Sequence, residues 1–217
     1  TNGIRAVLVT GVQTCALPIS KGTVYMLMQF EQGHNLHSYI KKHKGFLSEQ
    51  FLLTVFPPLL DGLKMIHESG FLHLDIKPGN IHLRPGGSPL LLDFGAVHPI
   101  MQTRSGQPTQ VVTPGFSPIE QYTNRGYVGP WTDLYALGAT MRNCIDHRPS
   151  LAAIKRHEHD TMKPATEAFR KRYSPELLKA IDWSMEVDPL LRPQSVDALL
   201  EVMPRLDETG TAREKSA

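Results

Sequence analysis

Cysteine is scarce: only Cys15 and Cys144 occur in 217 residues. Two thiols so far apart build no disulfide framework, and a reduced, cytoplasmic setting is the expectation. Long apolar runs are also missing. The longest, residues 51–60, is broken by Pro57 and Pro58 and falls well short of the roughly 20 residues of a membrane span. The N-terminus lacks the charged-then-apolar pattern of a secretory signal. Neither charge sign dominates, since 23 Lys and Arg face 21 Asp and Glu, which gives no argument for a nucleic-acid or membrane partner. His157 and His159 would fall on different faces of a helix, so zinc is not expected there. No internal repeat is visible. The chain has an ordinary globular composition, 41% apolar and 20% charged, enough for one sizeable core.

The segment Val9-Thr10-Gly11-Val12-Gln13-Thr14-Cys15-Ala16-Leu17-Pro18-Ile19 resembles a translated short-read sequencing adapter. Residues 1–20 are therefore set aside as a non-native leader. From Lys21 the pattern reads as a domain. Thr23–Phe30 is apolar and rich in β-branched and aromatic residues, as a buried strand is. A short helix is predicted over Asn35–Lys44, ending at Gly45. Ser48 suits the N-cap of a long helix whose apolar face is Phe51, Leu52, Val55, Leu59, Leu60, Leu63 and Ile66. Pro57 and Pro58 are expected to kink that helix or delay its regular start, and Gly70 to end it. Phe71–Leu72, Ile81–Leu83 and Leu90–Leu92 read as short strands, the last two joined by the turn Pro85–Ser88. Residues 96–129 are irregular, with one helical candidate near 117–122; a long irregular stretch inside a compact domain is usually functional. Helices are then predicted at Trp131–Cys144, Leu151–Glu158, Pro175–Met185 and Ser195–Met203, with a polar tail over 206–217.

The chemistry concentrates in His73-Leu74-Asp75-Ile76-Lys77-Pro78-Gly79-Asn80 and Asp93-Phe94-Gly95. A carboxylate, an ammonium and an amide lie within six positions. A second carboxylate follows 18 residues later, after a hairpin that can return it to the first. Asp75, Asn80 and Asp93 are hard oxygen donors, which suits Mg²⁺ held together with substrate phosphates. Lys77 adds a point charge that could meet a transferring phosphoryl group. Each piece alone is ordinary turn chemistry; the combination at this spacing is not.

This segment resembles the catalytic and metal loops of the protein kinase family, and the likeness extends over roughly residues 21–203. The resemblance implies an α+β, protein-kinase-like fold: a mainly helical C-lobe over 35–205 with small β hairpins, preceded by the last N-lobe strand and hinge over 21–34. It implies ATP and Mg²⁺ as cofactors and a protein with a Ser or Thr acceptor as substrate. Asp75 matches the residue that accepts the hydroxyl proton, Lys77 the residue typical of serine/threonine kinases, and Asn80 and Asp93 the magnesium ligands. His73 and Phe94, followed by Gly95, match residues that stack in the core and set the metal loop's orientation. Met28 falls at the gatekeeper position, with Gln29, Glu31 and His82 about the adenine. Thr113-Pro114-Gly115-Phe116-Ser117-Pro118-Ile119-Glu120 resembles the end of an activation segment. Glu120 would pair with Arg192, and Asp133 would hold the catalytic-loop backbone.

Departures from the family pattern carry expectations of their own. Leu74 stands where an Arg usually meets an activation-loop phosphate. His82 replaces an apolar residue and reads as a hydrogen-bonded core histidine. No Gly-rich loop, strand lysine or partner glutamate is present, so the N-lobe is read as missing. The chain by itself is then expected to have little kinase activity and to expose apolar surface near Met26, Met28 and Leu92. A catalytically silent kinase-like scaffold and a small-molecule phosphotransferase are the alternative readings. Lys77, the Phe-Gly after Asp93 and the Glu120/Arg192 pair favour the protein kinase.

Overall fold

The computed structural model describes residues 30–100, 111–123 and 127–206, together with the backbone of three strand pieces, Cys15–Ala16, Met26–Leu27 and Ala212–Arg213. Met28, Gln29 and most of the leader lie outside the described residues. The first two pieces, β1 (Cys15–Ala16) and β2 (Met26–Leu27), pair antiparallel.

The chain then enters β3 (His34–Asn35) and the short helix α1 (Leu36–Lys42), whose first turn is closed by the Asn35 side chain accepting from Ser38 N at 2.8 Å. Helix α2 (Glu49–Glu68) starts where its cap dictates: Ser48 Oγ accepts from Phe51 N at 3.1 Å, with Glu49 in the positive first turn. Its start is not delayed by the two prolines, and the helix runs through both. Each proline costs about 3 kcal/mol. Eight buried apolar residues offset this, including Leu52, Phe56, Leu60 and Leu63 at 0% exposure, each contributing roughly 1.5–3 kcal/mol.

Four strands follow: β4 (Phe71–Leu72), β5 (Ile81–Leu83), β6 (Pro89–Leu91) and β7 (His98–Pro99). The hairpin β5–β6 takes β3 as its third strand, with Asn35 opposite His82, and β4 pairs with β7. Strand β6 begins at Pro89 and ends before Leu92. The Leu92 amide instead donates to Asn80 O at 2.8 Å, outside the ladder.

Helix α3 (Pro130–Asp146) is buried at every residue from Thr132 to Ile145. Around it lie α4 (Ala153–Glu158), α5 (Ala165–Ala168), α6 (Pro175–Ser184) and α7 (Val196–Val202), followed by β8 (Arg205–Leu206), which pairs with β9 (Ala212–Arg213). Helix α6 packs tightly on α3 at Gly138, where an added Cβ would come within 2.6 Å of Ser184 Cβ. Asp182 on α6 accepts from Ala165 N, Thr166 N and Thr166 Oγ1, so α6 caps α5 in place of a local residue. Cys144 is a free thiol in the core, and burial pushes its pKa up. No helix among the described residues is long and apolar enough to cross a membrane.

Candidate active site

The loop between β4 and β5 is held from both ends. At its start, both carboxylate oxygens of Asp133 accept backbone amides, from His73 N at 2.9 Å and Leu74 N at 2.8 Å. The same carboxylate accepts His67 Nε2–H at 2.9 Å. Asp133 sits in the first turn of α3 and is fully buried. Its charge is met by three donors and by the helix N-terminus. The His73 ring donates through Nε2 to Leu92 O at 3.1 Å and accepts the Asp75 amide at Nδ1 at 3.3 Å, which requires the neutral Nε2–H tautomer. Leu74 lies between these anchors with φ of 60°, a conformation costing roughly 1–2 kcal/mol for a residue with a Cβ. Gln121 Nε2 donates to the Leu74 carbonyl at 2.9 Å, in a buried contact.

These constraints fix Asp75, which is 8% exposed. Its Oδ1 accepts from Lys77 Nζ at 2.9 Å and Thr113 Oγ1 at 3.1 Å; its Oδ2 accepts from Lys77 Nζ at 2.8 Å and Asn80 Nδ2 at 2.9 Å. Asn80 Nδ2 also donates to Asp75 O at 2.8 Å. Using the amide nitrogen this way leaves the Asn80 oxygen as its donor atom toward a hard cation. Thr113 is itself braced, its amide donating to Ser117 Oγ at 2.9 Å.

Asp93 reaches this loop through its neighbour. Leu92 bonds both Asn80 O and the His73 ring, so Asp93 leaves the hairpin directly beside both ends of the loop. It adopts φ of 63°, and its Oδ1 accepts from Gly95 N at 3.2 Å. An exposed carboxylate and an amide oxygen on adjoining loops are oxygen donors of the kind Mg²⁺ takes alongside phosphates. Among the described residues no group of three His, Cys, Asp or Glu is built to hold a metal, so a cation here would depend on substrate oxygens to complete its shell. Phe94 is not in the core as expected: it rests on His73 with ring centroids 5.2 Å apart but is 41% exposed.

Glu120 and Arg192 form a buried ion pair, with Nη1–Oε1 at 2.7 Å and Nη2–Oε2 at 3.2 Å. Thr132 Oγ1 donates to Glu120 Oε1 at 2.9 Å, and Arg192 donates to Glu186 O and Val187 O. His82 is half-buried, with Nε2 at 3.1 Å from Gln32 O. Gly33 packs so closely on β5 that a Cβ would lie 2.0 Å from Leu83 O. Glu31, one residue before Gln32, is half-buried. Sequence reasoning missed Gln121 and His67, the first hidden beside the conspicuous Glu120 and the second in an ordinary helix end.

A mainly helical body with a small hairpin carrying this loop defines a kinase-like phosphotransferase architecture. Residues 9–202 match the protein kinase domain. The chain is 32% identical over 190 residues to serine/threonine-protein kinase PknA of Nostoc sp., covering 82% of this chain and 32% of that protein. It is 31% identical over 193 residues to serine/threonine-protein kinase D of Synechocystis sp., covering 86% of this chain and 36% of the relative. The solved structure titled PpkA-294 apo form superposes with a TM-score of 0.74 at 33% identity, over 88% of this chain and 67% of that one. The chain belongs to the protein kinase domain family. It spans about a third of the length of these curated relatives.

Proposed function

We propose that the loop at residues 73–80 and Asp93 perform serine/threonine protein phosphorylation in the cytoplasm, moving the ATP γ-phosphoryl group to a Ser or Thr hydroxyl. The observation that carries this reading is the Asp75 carboxylate, oriented by Lys77, Asn80 and Thr113 on a loop that Asp133 pins. In this reading Asp75 orients the hydroxyl and accepts its proton. Lys77, with about a quarter of its side chain exposed at 27%, offsets the charge that develops on the transferring phosphoryl. Asn80 and Asp93 would hold magnesium, which when bound draws charge from the phosphate oxygens. His73 and Phe94 set the approach of Asp93. Gly95, whose amide donates to Asp93 Oδ1, fixes that carboxylate's rotamer.

The domain reading is part of the same proposal. Residues 1–20 are a leader, 21–34 the last N-lobe strand and hinge, 35–205 the C-lobe and 206–217 a tail. Glu31 and His82 are assigned to the adenine side, with His82 joined to Gln32 O; Met28 and Gln29, outside the described residues, are assigned there from the sequence alone. A chain without a Gly-rich loop and its lysine transfers phosphate slowly if at all by itself. Incubating the intact kinase with labelled ATP, offered in turn a serine-bearing protein and an aminoglycoside or choline, tests the reading. Label on protein serine or threonine is the expected result; label only on a small molecule, or on nothing, overturns it.

A further inference from the structure

Charge is nearly balanced over the chain as a whole, 23 Lys and Arg against 21 Asp and Glu, but not over every part of its surface. Segments 41–49, 142–148 and 169–174 together hold eight of them, against only Glu49 and Asp146. The fold brings the three segments to one place. Phe46 lies 6.3 Å from the His147 ring and 6.4 Å from Phe169, and the Arg172 guanidinium sits 4.0 Å over it. Tyr173 Oη donates to Leu47 O at 2.7 Å, and His43 stands 6.4 Å from His147.

Both carboxylates are already engaged. Glu49 accepts from Ser174 N and Ser174 Oγ, and Asp146 meets Arg148 at 3.1 Å and Arg142 at 3.7 Å. The cations are less well matched. Lys41, Lys42, Lys44, Arg170, Lys171 and Arg172 are exposed. Beneath them Arg142, 4% exposed and 4.8 Å over the Phe169 ring, has no hydrogen-bond partner at Nε or Nη1, and His147 has none at Nε2. Arg142 is offset from within by Asp146, so the unmatched positive charge of this patch belongs to its exposed lysines and arginines.

We infer that this face binds an acidic polypeptide segment, with one apolar residue of the partner resting on Phe46 and its carboxylates meeting the surrounding lysines and arginines. Phe46 is 45% exposed, a single apolar anchor within a field of cations. Single-stranded nucleic acid would stack on several open ring faces, but here His147 and Phe169 are half-buried and Tyr173 is buried; a bilayer would call for an apolar stripe at helical spacing, and Phe46 is the one large apolar side chain of these segments that is exposed. Charge complementarity of this kind sets partner choice and association rate. The inference does not depend on phosphate transfer.

Fluorescence polarisation on the full 217-residue chain tests it, using a short labelled peptide of Glu and Asp with one central Leu. Binding that weakens with added salt is expected. Arg170→Gln with Lys171→Gln should weaken it about tenfold or more, and Phe46→Ala should weaken it as well. Lys64→Gln, roughly 25 Å away along α2, should leave it unchanged. No binding at low salt, or equal loss from Lys64→Gln, overturns the inference. So does tighter binding of duplex DNA or phosphatidylserine vesicles than of the peptide. Should Phe46→Ala melt early, the exposed Arg170/Lys171 pair alone decides.

Discussion

The side-chain amide of Gln121 donates to the carbonyl of Leu74 at 2.9 Å, and Leu74 is held at φ of 60°. Residue 74 is therefore gripped on its amide by Asp133 and on its carbonyl by Gln121, two groups from separate elements. Strained backbone persists only where the surroundings over-determine it. Gln121→Leu keeps the volume and removes the donor, leaving a buried carbonyl unmet at a cost of roughly 1–3 kcal/mol. The expected outcome is a lowered denaturation midpoint and, in the intact kinase, a fall in kcat larger than any change in the KM for ATP. An unchanged kcat would show that Asp133 suffices to orient Asp75.

Glu120 and Arg192 anchor the segment that carries Gln121. Either Glu120→Ala or Arg192→Ala strands a charge that is almost wholly buried, at roughly 3–5 kcal/mol. The double replacement should cost clearly less than the two losses added, because neither charge is then left alone. Urea denaturation of the four proteins reads the coupling; strict additivity would mean the pair does not interact energetically.

Gly138→Ala sets two effects against each other. Alanine is favoured over glycine in a helix by about 1 kcal/mol, yet its Cβ would lie 2.6 Å from Ser184 Cβ and 3.2 Å from Met185 Cγ. Overpacking of a core contact costs roughly 1–3 kcal/mol, and here the clash falls on atoms close to the backbone of α6, so destabilisation should win. Thermal unfolding should show a lower Tm for Gly138→Ala, partly restored by Ser184→Gly.

Burial pushes the Tyr173 hydroxyl up to about 12 from an ordinary 10, while it donates to Leu47 O. The folded state thus favours the protonated form. That stability is fully present below pH 10 and is lost as pH rises toward 12, by roughly 2–3 kcal/mol at about 1.4 kcal/mol per unit. Tyr173→Phe should flatten this part of the stability–pH curve. An equally steep decline in the variant would assign the loss to other groups.

Leu74 gives activation-loop phosphate no guanidinium to meet. Thr103, Ser105 and Thr109, hydroxyl residues of the irregular segment that lie outside the described residues, are the acceptors in question, and replacing them together with Ala in the intact kinase should leave its rate nearly unchanged. A collapse in phosphate transfer would mean that another cation takes the missing Arg's place.

Much of this was legible in the sequence because it is local. Ser48 announces its helix through capping, and the 3.6-residue apolar period of α2 shows its buried face. The boundaries of β6 were less legible, since Leu92 continues the apolar run but its amide goes to Asn80. Pro57 and Pro58 misled because local breaking was outweighed by burial of the whole helix face. The catalytic loop's composition was readable, but the strain at Leu74 was not, because it is imposed by Asp133 and Gln121 from 59 and 47 residues away. The basic face was invisible for the same reason: net charge hides what three distant segments bring together.

The most direct measurement is phosphate transfer to a serine-bearing protein by the intact kinase carrying Asp75→Asn, beside a measurement of its ATP affinity. Loss of transfer by about a hundredfold or more with nucleotide affinity little changed is expected of a carboxylate that takes the hydroxyl proton. Transfer within a few-fold of the unaltered enzyme would contradict it.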